Sequence, residues 1–213
     1  REGLGGPSDL FFSRGGGTAQ ALQAAAWSLE AAECSLCIVG AADTAHYEMT
    51  EGELRRSGVL DAGLLPSEGA AALTLTTLAH ATALGRPLAL LTGCAHIPCG
   101  DVCTDLDGTV VDAAPHATIS ALTAALTKAP LPDIIVCALW SHALRTWLAS
   151  QQPAQALIID AHEVLGEALA ATPALAWCLA LRLLDHHQAS SARVICCGLD
   201  GAVGVTEFQR GST

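Results

Sequence analysis

Charge is scarce in this 213-residue chain: only 15% of its residues are Asp, Glu, Lys or Arg. Basic residues are the scarcest part, with 10 Lys and Arg against 21 Asp and Glu, a formal net charge of -11. That balance excludes a nucleic acid or an anionic membrane surface as the main partner, because both need a cationic face. It is also awkward for a docking face directed at an acidic carrier protein. Long hydrophobic runs are missing as well. Cys37–Val39, Leu88–Leu91, Ile134–Leu139 and Ala156–Ile159 are each bounded by polar or chain-breaking residues. None approaches the ~20 residues of a membrane span. No basic segment followed by an apolar core marks a secretory signal.

The composition that remains is apolar and small: 51% hydrophobic residues and a mean hydropathy of +0.42. Such a chain can bury a substantial core, as one domain or two intimate halves, with a sheet covered on both faces. The nine cysteines lie mostly in apolar segments and read as reduced core thiols, in a cytoplasmic setting. Apolar segments alternate with helical ones. Leu10–Ser13 is a short strand candidate, Ala19–Ala32 a helix with Thr18 as its N-cap, and Leu36–Val39 a strand. Met49–Leu60 is charged and amphipathic, Ala71–Thr76 an alternating strand, Thr77–Leu84 a helix and Leu88–Ala95 a strand. His116–Lys128 is helical, Asp133–Leu139 and Ala156–Asp160 are strands, and Ala168–Leu184 is a helix interrupted or started near Pro173. Arg193–Gly198 and Val203–Phe208 form a hairpin across Leu199-Asp200-Gly201. This order predicts a layered α/β fold.

Four blocks carry a more specific signal. Gly15-Gly16-Gly17-Thr18, followed by the Ala/Leu helix and Glu33-Cys34-Ser35-Leu36-Cys37-Ile38-Val39-Gly40, resembles the nucleophile helix and next strand of β-ketoacyl synthases in the thiolase superfamily. Ser67-Glu68-Gly69-Ala70 resembles that family's Gly-Glu-Gly-Ala block. Gly85-Arg86 before a strand resembles the opening of its second half, and Cys197-Gly198-Leu199-Asp200-Gly201 its terminal glycine turn. The order and spacing of the four are the family's.

The resemblance implies a thiolase-like α-β-α-β-α fold that is incomplete, with the first strands of the N-terminal half missing. Residues 1–80 would end that half, and residues 81–213 would form the C-terminal half. In the family's strand order the two missing strands would lie between the third and the fourth. Their absence would leave sheet edges and helix faces uncovered, so either another polypeptide supplies the cover or the chain is a fragment of a longer product, and both point to obligate association.

The resemblance also locates the chemistry. Condensation needs a thiolate to carry the acyl chain and two histidines to stabilise developing negative charge. The nucleophile position falls at Gly15, which has no side chain to acylate. The first histidine falls at Ala138, with His142 four residues on. The second falls at Glu167 or, with a shifted alignment, at His162. Three replacements imply a non-catalytic, chain-length-factor-like subunit with no cofactor, paired as a heterodimer with an active ketosynthase and reached only indirectly by acyl carrier protein. The Asp200-Gly201 text is common in such inactive subunits. The resemblance places Leu10, Phe11 and Phe12 at the subunit interface, and Tyr47 and Met49 against the end of the acyl tunnel. The alternatives are a thiolase-fold acyltransferase or hydrolase using residues outside the family pattern, such as His162 with Cys137, and a scaffold that merely reuses the fold.

Other patterns read as structural. Cys34-x-x-Cys37 spans a helix end and a strand and reads as core packing rather than a redox or metal motif. His96, Cys99, Asp101 and Cys103 have metal-like spacing, yet lack a second pair at zinc-site spacing. His186-His187 read as solvated residues near a helix end.

Overall fold

Every residue of Ile134–Leu139 is buried, and the period-two geometry of a strand sends its apolar run to both faces of a sheet. On one face Ile134, Val136 and Ala138 pack with Leu22, Trp177, Ala180 and Leu184. On the other, Ile135, Cys137 and Leu139 pack with Leu122, Leu126, Leu144 and Leu148. This strand therefore separates two core clusters, and the architecture is built around it. The computed structural model describes residues 8–11, 16–56, 60, 63–85, 87–99, 116–127, 130–140, 142–151, 156–186, 189–198 and 201–211.

Two sheets form. β1 (Leu36–Thr44) and β2 (Glu68–Thr76) are an antiparallel pair, with Leu36 opposite Thr76 and Thr44 opposite Glu68. The second sheet holds β3 (Ala89–Ile97), β4 (Ile134–Leu139), β5 (Leu157–Asp160), β6 (Ser191–Cys197) and β7 (Val203–Arg210), in the order β3-β7-β6-β4-β5. β4 runs parallel to β5 and β6, whereas β7 is antiparallel to β6 and β3. The helices are α1 (Gly16–Glu30), α2 (Glu48–Arg56), α3 (Leu78–Leu84), α4 (His116–Thr127), α5 (His142–Gln151), α6 (Ala161–Leu165) and α7 (Thr172–His186).

α1 and α7 lie between the sheets: α1 packs on β1, β3 and β7, and α7 on β2, β4 and β6. α4 and α5 cover the far side of the five-stranded sheet. The layers are thus helix, sheet, helix, sheet, and among the described residues nothing covers the last face. Ile38 and Ala42 on β1 and Ala70, Ala72 and Thr74 on β2 point to solvent. This is the thiolase-like layering in incomplete form.

The two sheets repeat one unit. α1-β1 followed by antiparallel β2 has its counterpart in α7-β6 followed by antiparallel β7. In the complete copy β6 is flanked by β4 and β7 by β3, while among the described residues the outer edges of β1 and β2 pair with no strand. The strand order expected from the resemblance needs correction here. In the five-stranded sheet only the second strand, β4, lies between the third and fourth, and the first, β3, sits at the opposite edge.

Local expectations change for local reasons. Leu10 and Phe11 form no strand, and Leu10 is 76% exposed; a strand without a neighbour leaves its backbone groups unpaired. Phe12 and Ser13 lie outside the described residues. Thr18 is not an N-cap, because α1 already begins at Gly16; its hydroxyl instead donates to Ala170 O at 2.6 Å. α2 is described over Glu48–Arg56, and Leu60 lies in a turn. Pro173 occupies the second position of α7, where its missing N–H costs no helical hydrogen bond.

Candidate functional site

The carboxyl ends of β4, β5 and β6 lie side by side, the place where parallel strands deliver functional groups. β5 ends at Asp160, whose carboxylate accepts the backbone N–H of His162 at 2.9 Å and so caps α6. α6 lasts five residues and stops at Gly166, which has φ +73. Only glycine suits that turn, since a Cβ there would stand 2.8 Å from both Leu65 O and Ser67 Cβ. The chain then folds back. Glu167 N–H donates to Leu65 O at 2.7 Å and Glu167 O accepts from Ser67 N–H at 2.9 Å, a pair of bonds that fixes its side chain inward.

There the Glu167 carboxylate meets three partners. Oε2 lies 2.6 Å from His162 Nε2, and Oε1 accepts from Leu169 N–H at 2.6 Å and from the Thr172 hydroxyl at 3.0 Å. Thr172 Oγ1 in turn accepts from Ala168 N–H at 2.8 Å. His162 and Glu167 are each only 6% exposed. His162 Nδ1 faces Asp160 Oδ1 at 3.5 Å, a charge contact longer than a hydrogen bond. Burial works against a charged imidazole, but the carboxylates of Asp160 and Glu167 outweigh it and push His162 up to about 9. Burial likewise works against the Asp160 carboxylate, yet the backbone and ring of His162 hold its pKa below the usual value. The site therefore favours the protonated form of the His162 ring, held beside Glu167 and Asp160.

His162, Glu167 and Thr172 line a cavity of about 20 Å³ together with Ala138, Trp140, Leu169, Pro173, Cys196, Cys197 and Gly198. That is the room of one water rather than of an acyl thioester. The buried Trp140 Nε1 has no hydrogen-bond partner among the described residues. The rim is tied to the first sheet: Asp43 Oδ2 at the end of β1 accepts from Ala170 N–H at 3.2 Å, beside the Thr18 bond to Ala170 O. β1 and α1 are thus both bonded to Ala170, next to the lining residue Leu169.

The structure brings Ala138, His162 and Glu167 together. The two alternative positions for the second histidine thus turn out to be bonded neighbours. Cys137 is not part of the group: it points to the opposite face of β4, where burial, then the neighbouring Cys196 and Asp160, raise its pKa far above that of a free thiol. Gly15 lies outside the described residues, and so do Asp101 and Cys103. Among the described residues no three His, Cys, Asp or Glu side chains cluster as metal ligands. Tyr47 and Met49 stand at the start of α2, 60% and 73% exposed, away from the cavity. Sequence reading missed Asp160, Thr172 and Trp140. Asp160 carried a signal, an N-cap residue directly after an apolar run; Thr172 and Trp140 carried none.

No protein-family model and no curated protein matches the sequence. Solved structures do match. One is a type II polyketide synthase acyl-carrier protein in complex with its ketosynthase bound to the hexaketide (AntDE:AntF), at TM-score 0.66 and 15% identity, over 95% of this chain and 59% of that one. Two others are ketosynthase domains of the oxazolomycin protein OzmH from Streptomyces albus JA3453. KS7 matches at TM-score 0.69 and 16% identity over 97% of this chain and 47% of its own, and KS8 at 0.62 and 17% over 91% and 62%. The chain therefore spans from about half to three-fifths of the length of these structures. Over that span its fold is the fold of a ketosynthase.

Proposed function

We propose that this chain is a non-catalytic, chain-length-factor-like ketosynthase subunit. It pairs with an active β-ketoacyl-ACP synthase in polyketide or fatty-acid-like chain elongation and meets acyl carrier protein only through that partner. One observation carries the reading: where the resemblance places a charge-stabilising histidine, Glu167 holds His162 in a buried ion pair. A condensing site needs donors aimed at an oxyanion. Here the imidazolium is already committed to two carboxylates, and a carboxylate would repel the enolate that condensation generates. The small cavity and Ala138 support the same conclusion.

Among the described residues the outer face of the β1–β2 pair and its two outer strand edges carry no neighbouring element, which supports association there with a further polypeptide or a further stretch of chain. Leu10, Phe11 and Phe12 would supply apolar contacts at the subunit interface, and Tyr47 and Met49 would face the far end of the partner's acyl tunnel. Purification of the tagged chain from its native cell tests the pairing. A cysteine-bearing ketosynthase in equal stoichiometry by native mass spectrometry is the expected result. A chain that purifies alone and hydrolyses or transfers acyl thioesters would replace this reading with the enzymatic one.

A further inference from the structure

The turn between α1 and β1 holds two thiols in contact. Cys34 Sγ and Cys37 Sγ are 3.1 Å apart, and both residues are half-buried. Each is fixed from its own side. α1 ends in a capped turn in which Ala32 has φ 58, Glu33 N–H donates to Ser28 O at 2.9 Å, and the Ser28 hydroxyl donates to Glu33 Oε2 at 2.8 Å. β1 is held by its ladder, with Cys37 opposite Leu75, and by the Thr76 hydroxyl donating to Ser35 O at 2.6 Å. The spacing that reads as core packing in the sequence therefore places the sulfurs face to face at the surface end of the helix. A disulfide needs ~2.05 Å between sulfurs, so closure takes a movement of about 1 Å, within reach of side-chain rotation.

We propose that Cys34 and Cys37 are a dithiol–disulfide couple that exchanges with small-molecule disulfides such as oxidised glutathione. Cys34, in the exposed turn, loses its proton and attacks one sulfur of the oxidant. The oxidant's S–S bond breaks, and one glutathione leaves as a thiol carrying the proton. Cys37 then loses its proton and attacks Cys34 Sγ in the mixed disulfide, releasing the second glutathione. Two protein thiols and one small disulfide become one protein disulfide and two small thiols. The order follows from placement: Cys37 sits beneath α1, its thiol 3.8 Å from Ala25 O, and burial followed by the adjacent Cys34 sulfur pushes its pKa up to about 11. A thiol so slow to ionise suits the second step. The consecutive thiols of Cys196 and Cys197 make no such couple, because neighbours on a strand point to opposite faces. Closure pins the last turn of α1 to the first residues of β1, the helix whose other end reaches the Glu167 turn through Thr18.

The test does not depend on the proposed function. Trypsin cuts after Arg14 and Arg55, so the intervening peptide contains Cys34 and Cys37 and no other cysteine. The intact chain is equilibrated with oxidised glutathione, unfolded in an alkylating reagent and digested. The peptide should have lost two hydrogens and taken up no alkyl group, and added reduced glutathione should reverse this. In a Cys37→Ser variant, Cys34 should retain one glutathione. Two alkylated thiols in the native chain after oxidation would overturn the proposal, as would a stable glutathione adduct on Cys34 beside an alkylated Cys37.

Discussion

Replacing Glu167 by Gln removes one of the two carboxylates that hold the His162 proton while keeping an oxygen for Leu169 N–H and the Thr172 hydroxyl. The size of the effect follows from linkage. Folding raises His162 from 6.5 to about 9, which at about 1.4 kcal/mol for each pH unit between the two values is about 3 kcal/mol, the net of the burial cost and both carboxylates. The sign is fixed by the direction. A raised pKa means the folded state holds the proton more tightly, so this stability is fully present below pH 6.5 and is lost as pH rises through about 9. With Asp160 still in place, Glu167→Gln should cost about 2 kcal/mol at pH 6, or a fall in melting temperature of about 4–8 °C for a chain this long. At pH 10 the imidazole is neutral in wild type and variant, and the cost should shrink below ~1 kcal/mol, the scale of an ordinary hydrogen bond. Chemical unfolding of both proteins at pH 6 and pH 10 reads this directly. Equal destabilisation at the two pH values, or none at pH 6, would refute the buried imidazolium.

Gly166→Ala should destabilise the chain by about 2 kcal/mol or more, read by the same unfolding curves, because φ +73 disfavours a side chain and the Cβ would meet Leu65 O and Ser67 Cβ. Arg193→Met should cost about 3 kcal/mol, since the buried guanidinium joins Glu207 Oε1 at 3.1 Å, Ala125 O at 2.7 Å and Pro130 O at 3.1 Å; hydrogen exchange should then rise at the end of α4. Tyr47→Ala and Met49→Ala should leave stability within ~0.5 kcal/mol, because both side chains are exposed. In the reconstituted pair either substitution should lengthen the products by enlarging the tunnel end, and an unchanged product profile with assembly intact would point to a purely stabilising role.

Much of the fold is legible in the sequence because its signals are local. The Ala/Leu helix before Leu36–Val39, the alternating Ala71–Thr76 and the hairpin expected to end at Phe208 each carry their periodicity within a few residues, and each forms with its ends shifted by up to five residues. Leu10 and Phe11 have the composition of a strand, but a strand exists only by pairing, and composition does not reveal whether a neighbour is present. The site is legible only in part. Ala138 and Glu167 are positions the resemblance points to, whereas the pairing of Glu167 with His162 depends on a short helix and one left-handed glycine that reverse the chain between them. Counting along the sequence offers two positions for one histidine, and the turn at Gly166 puts both residues in one cavity. Thr172 joins them because a 3-10 turn over Leu169–Ala171 brings the start of α7 back to the carboxylate, a geometry with no signature in residue type. Cys34 and Cys37 show the opposite case: the motif is plain in the sequence, while the 3.1 Å contact that gives it meaning is a property of the capped turn.

The central claim is that this chain takes part in condensation without carrying the acyl group. Intact mass spectrometry of the chain after incubation with its ketosynthase partner, acyl carrier protein thioester and malonyl carrier protein thioester tests it most directly. The partner should gain the mass of the acyl chain while this chain keeps its unmodified mass, and neither adduct nor product should form when the partner is left out. An acyl adduct on this chain, or condensation product from this chain alone, would contradict the account.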